Sequence, residues 1–124
     1  MSGLLKDLEK EYRKYKAKKE KYEAIKNRLS EAYDELARIK EQHKEYRKRV
    51  ENHIMSETSE WSGSNYNLYL QQGSDILSDL MKVNDDIDSL MDHINSARSA
   101  AISEYKKFDG LCSKLWDGIQ NRFN

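Results

Sequence analysis

The chain contains no proline, one cysteine, five glycines and two phenylalanines in 124 residues. Without proline, nothing covalent obliges a helix to stop. A lone thiol, Cys112, excludes an intramolecular disulfide and any cysteine-rich zinc site, and it leaves the redox compartment undetermined. The few glycines form no phosphate-cradling loop, nucleophile elbow or dinucleotide fingerprint. No stretch reaches the 18 or so apolar residues of a membrane span, and MSGLLKDLEKEYRKYK lacks the apolar run of roughly 7 to 15 residues in a secretory leader. The expectation is a product made in the cytoplasm, which would leave the cell, if it does, by a route that reads no cleaved signal.

Charge and helix formers are abundant. Charged residues make up 35% of the chain and hydrophobic ones 37%, a balance that favours long exposed helices over a compact α/β core. The fold class expected is all-α, in one domain. Residues 1–54 hold 16 Lys and Arg against 11 acids, and residues 55–124 hold 6 against 11. The halves therefore carry +5 and −5 (16 − 11 and 6 − 11), which suits them lying side by side.

Apolar residues recur every seven positions at Leu8, Tyr15, Tyr22, Leu29, Leu36 and Val50, with His43 the one interruption. Leu5, Tyr12, Ile25, Ala32, Tyr33, Ile39, Tyr46 and Ile54 broaden this stripe. It predicts a first helix over about 4–55. A second stripe runs Ile76, Leu80, Val83, Ile87, Leu90, Ile94, Ala97, Ala101, Tyr105, Phe108, Cys112, Leu115, Ile119 and predicts a helix over about 67–121. Ser64 or Asn65 can cap its start, or Ser74 if Gly73 delays it by local unwinding. Between the arms, about 56–66, five of the eight residues from Ser56 to Gly63 are Ser, Thr or Gly. Such residues favour turns, so an antiparallel two-helix hairpin is expected over a continuous rod. A pair of thin amphipathic arms buries little surface, so the stripes are expected to draw copies or partners into a four-helix arrangement.

Inside the break, Trp61-Ser62-Gly63 is followed by Tyr66 and Tyr69. Glycine lets the backbone turn, and tryptophan offers a large apolar body with one N–H donor, suited to half-burial at a hairpin tip. A Trp-x-Gly between two helices resembles the WXG-motif family of small helical hairpins exported by type VII secretion systems. Position carries the match, because Trp116-Asp117-Gly118 repeats the spelling near the C-terminus, where it reads as a last-turn core aromatic with a helix-ending glycine. The family's Tyr-x-x-x-Asp export signal is matched by Tyr105-Lys106-Lys107-Phe108-Asp109.

Typical members are nearer 100 residues and less basic in the first helix. The longer, Lys-rich chain is more similar to the WXG-like partners encoded beside LXG-domain toxins of Gram-positive bacteria. The resemblance implies a non-enzymatic export partner, chaperone or targeting factor, paired with a toxin's helical N-terminal domain or another WXG-like protein. It also implies presentation to a secretion ATPase and a secreted or cell-surface destination.

Other constellations have plainer readings beside their functional ones. Residues 12–28 carry eight Lys and Arg against two acids, interleaved with Tyr12, Tyr15 and Tyr22. That could track phosphates, but the tyrosines belong to the stripe and the long stems read as a cover for it. Asp85, Asp86, Asp88 and Asp92 lack the glycine turn and closing glutamate of a calcium loop and read as a solvated face able to meet Arg38, Lys44 or Arg47. His43, His53 and His93 fall too far apart along a hairpin to share a metal, and His43 reads as a polar register-setting residue in the core. Cys112 reads as a buried thiol, and Met55, Met81 and Met91 as adaptable packing. No cofactor, metal or catalytic group is expected. The rival to the export reading is a cytosolic structural coiled-coil module that is never exported.

Overall fold

The computed structural model describes the backbone at residues 2–58 and 63–122 and the side chains at 3–56 and 66–122. It is an all-α helical hairpin of α1 (Ser2–Thr58) and α2 (Gly63–Asn121). Both helices exceed the expected bounds, so residues 56–58 and 63–66 join helices and do not form the turn. Gly63 opens α2, and Tyr66 and Tyr69 lie in its first turns. At the other end Gly118 neither frays nor ends the helix. Arg122 N–H donates to Ile119 C=O at 3.2 Å and tightens the last turn.

Each helix presents two seven-residue series to the other. On α1 these are Leu8, Tyr15, Tyr22, Leu29, Leu36, His43, Val50 and, four residues on, Tyr12, Lys19, Lys26, Tyr33, Lys40, Arg47, Ile54, all half-buried. On α2 they are Gly73, Leu80, Ile87, Ile94, Ala101, Phe108, Leu115 and, four residues on, Leu77, Asn84, Met91, Arg98, Tyr105, Cys112, Ile119, all half-buried or buried. This corrects the expected α2 stripe. Ile76, Val83 and Leu90 are 49%, 45% and 49% exposed, and Ala97 is exposed as well. The expected stripe took two steps of four in succession, from Ala97 to Ala101 to Tyr105. A single seam register cannot follow such a stutter, so before Ala101 Leu80, Ile87 and Ile94 stay in the seam while Ile76, Val83, Leu90 and Ala97 fall on the flank.

The helix pairing divides into two units, Met1–Ala32 with Ile94–Asn124, and Tyr33–His93. In the first, Phe108 inserts between Tyr15 and Tyr22, its ring 5.8 Å from each. Lys18 and Lys107 lie over the same ring at 5.3 and 5.4 Å. Burying a phenylalanine contributes about 1.5–3 kcal/mol, and each aromatic pair about 0.5–1.5 more. Ala101, Cys112 and Ile119 are also buried in this unit. Trp116 is not the core aromatic expected: it is 46% exposed and rests on Tyr12 with ring centres 5.5 Å apart.

In the second unit, Gly73 is the one buried residue among those described. It sits inside an unbroken α2, so the anticipated unwinding does not occur, and its role is close approach. A Cβ there would lie 2.9 Å from Ile54 Cγ2 and 3.0 Å from Cδ1. Ile54 is β-branched and stiff at χ1, so it yields poorly. Both ring nitrogens of His43, the interruption in the α1 seam, are buried without a hydrogen-bond partner. That is a cost the surrounding packing must offset.

The glycines give a paired test. Alanine gains about 1 kcal/mol over glycine inside a helix, while overpacking costs about 1–3 kcal/mol. Gly110, with open space around its Cβ position, should gain about 1 kcal/mol of stability as Gly110→Ala. Gly73→Ala should lose about 1 kcal/mol, with Ile54→Ala in the same chain removing the clash. Urea unfolding followed by circular dichroism measures both.

Candidate functional site

Among the residues singled out in the sequence, Tyr105 and Asp109 come together through a third group that the sequence did not single out. They stand one helical turn apart on α2, and Lys19 of α1 meets both. Its ammonium is 2.8 Å from Asp109 Oδ1 and 5.7 Å from the Tyr105 ring centre. Lys26 approaches the same ring at 5.8 Å. Tyr105 is half-buried in the seam, whereas the Asp109 side chain keeps 48% of its exposure. A cleft of about 200 Å³ opens beside them, lined by Tyr12, Lys19, Asp109, Cys112, Ser113 and Trp116. The Tyr-x-x-x-Asp match therefore lies on α2 with both of its residues contacted by Lys19 of α1, and is not a free linear segment.

The electrostatics follow from this geometry. The hydrogen bond to Asp109 raises the Lys19 pKa, against an opposing desolvation effect. Burial pushes the Cys112 thiol up, so the thiolate is scarce at neutral pH and the residue behaves as packing. Lys40 pairs with Asp88 at 2.5 Å and its pKa is likewise raised by that hydrogen bond. The expected cross-hairpin contacts of the aspartates thus resolve differently. Arg38 pairs with Glu35 on its own helix, and Arg47 donates to Met81 Sδ at 2.8 Å.

These cross-helix pairs follow a rule. In the first unit Tyr12 meets Trp116 and Lys19 meets Asp109; in the second, Lys40 meets Asp88 and Arg47 meets Met81. Within each unit the two pairs stand seven residues apart on both helices. The α1 member always belongs to the second seam series, and the α2 member follows the first series by one residue. One edge of the seam is closed in this way.

Trp61 lies outside the described residues, and of Gly63 only the helical backbone is described. Tyr66 and Tyr69 are half-buried, and Tyr69 helps line a cleft of about 160 Å³ with Val50, His53, Ile54, Gln72, Gly73 and Ile76. Four of the eight cations of the basic stretch lie over the protein's own rings: Lys18 on Phe108, Lys19 and Lys26 on Tyr105, Lys21 on Tyr22. Among the described residues no three His, Cys, Asp or Glu side chains are grouped to hold a metal ion, and no helix is long and apolar enough to cross a membrane. No family model, curated protein or solved structure matches the chain.

The Lys19–Asp109 pair makes a signed prediction. Because folding raises the lysine pKa, its contribution is fully present below the ordinary value of 10.5 and is lost as pH rises through the raised folded value. Asp109→Asn should cost less than about 1 kcal/mol at neutral pH, as a partly exposed pair does. It should also flatten the loss of stability above pH 10.5, measured by urea unfolding at several alkaline pH values.

Proposed function

We propose that the protein is a non-enzymatic, WXG-like export partner of a type VII secretion system, working by pairing its helices with those of another protein. The observation that carries this reading is the Trp61-Ser62-Gly63 segment between two long amphipathic helices that leave large apolar side chains exposed. The partner class is helical: the N-terminal domain of an LXG-type toxin, or another WXG-like chain. Helix-on-helix association would cover apolar residues that two helices cannot bury between themselves.

In this mechanism Trp61 provides an apolar anchor at the turn, and Tyr105 with Asp109 provides the export signal, held in a fixed pose by Lys19. The chain would be cytoplasmic before export and secreted or surface-bound afterwards, with the secretion ATPase reading the assembled pair. The heptad seam also suits the rival reading, a cytosolic coiled-coil scaffold. Fractionation separates the two.

In cells producing the chain with its native partner, both should appear in the culture supernatant and disappear from it in a strain lacking the secretion ATPase. Trp61→Ala should abolish export while far-UV circular dichroism stays unchanged. Export undiminished by that substitution would remove the role given to Trp61, and a chain confined to the cytoplasm would favour the scaffold.

A further inference from the structure

Lys19, Lys40 and Arg47, all of the second α1 series, are each met from α2 by the residue one after the first seam series. At Lys19 and Lys40 that residue is an aspartate, Asp109 or Asp88. At Arg47 it is Met81, whose sulfur accepts from Arg47 Nη1 at 2.8 Å. A thioether is a weak acceptor, whereas a guanidinium is permanently charged and donor-rich. The cation is thus offered a neutral sulfur at a place where the same edge elsewhere supplies a carboxylate oxygen. Met81 is also 48% exposed, so a small oxidant reaches its sulfur, while Met91 is half-buried in the seam.

We propose that Met81 is an oxidation site whose sulfoxide holds Arg47 more firmly and stabilises the unit Tyr33–His93. With hydrogen peroxide as the oxidant, a sulfur lone pair attacks one peroxide oxygen, the O–O bond breaks and an S–O bond forms. The hydroxide that leaves takes the proton from the transferred oxygen and departs as water. Sulfur is oxidised by two electrons and the peroxide is reduced by two. The S–O bond carries its negative end on oxygen, and Arg47 gains a charge-assisted hydrogen bond in place of a weak one. Methionine oxidation ordinarily disrupts structure, because it puts a polar oxygen into apolar packing. Here the sulfur stands at the edge of the seam and already faces a cation, so the sign is reversed. The unit is sensitive to such a gain, since none of its described apolar side chains is buried. The change is reversible, because methionine sulfoxide reductases restore the thioether.

This site does not depend on export, and its test needs only the purified full-length chain. In a background of Cys112→Ala, Met55→Leu and Met91→Leu, Met81 is the one methionine after Met1. After the folded chain is treated with hydrogen peroxide and the oxidant removed, peptide mass spectrometry should find one added oxygen on Met81. Urea unfolding should then give a folding constant about threefold higher or more than that of the untreated chain, the size of a partly exposed charged pair. The gain should vanish in Arg47→Gln. Met81→Gln, whose amide oxygen stands in for the sulfoxide oxygen, should raise the folding constant with no oxidant, and it reads the same effect if Arg47→Gln fails to fold. A Met81 that stays unoxidised in the folded chain, an oxidised chain or a Met81→Gln chain no more stable than its parent, or an equal gain in Arg47→Gln would each overturn the proposal.

Discussion

Two helices packed alone can shelter only two positions in every seven on each, and the rest of this protein follows from that limit. On α1 the second sheltered series holds Lys19, Lys26, Lys40 and Arg47, residues that cannot lose their charge to the interior. Their aliphatic stems lie along the seam while their heads reach out to Asp109, Tyr105, Asp88 and Met81. A seam built this way is specific in register because each cation has a partner at one level. It is also poorer in apolar burial, because four of the seven residues in that second series contribute stem and not core.

The two units resolve this shortage differently. In the first, an aromatic layer of Tyr15, Phe108 and Tyr22 supplies area, and Lys18 and Lys107 close over it. The second is built otherwise. Its seam includes His43 without hydrogen-bond partners and the amide of Asn84, and its closest approach is a glycine against Ile54. Ile76, Val83 and Leu90 of that stretch of α2 stand exposed on the flank. The same placement that thins the seam there leaves apolar side chains on the surface.

The hairpin and its helical arms were legible in the sequence because seven-residue periodicity and the Ser, Thr and Gly cluster report directly on helix packing and turning. The first α1 series is the one read from the sequence, His43 included. The α2 register was not legible before Ala101, and the reason is specific. Asn84 and Arg98 break the true series of Leu77, Met91, Tyr105, Cys112 and Ile119, whereas Ile76, Val83, Leu90 and Ala97 form a more continuous apolar line. Hydrophobicity marked the residues available for burial; the register held by ion pairs decided which were buried inside one chain. Lys19 escaped attention for a related reason, since one lysine among many carries no local signal until Asp109 is brought beside it from ninety residues away. A seven-residue scan that accepted long cations as seam residues would have found it.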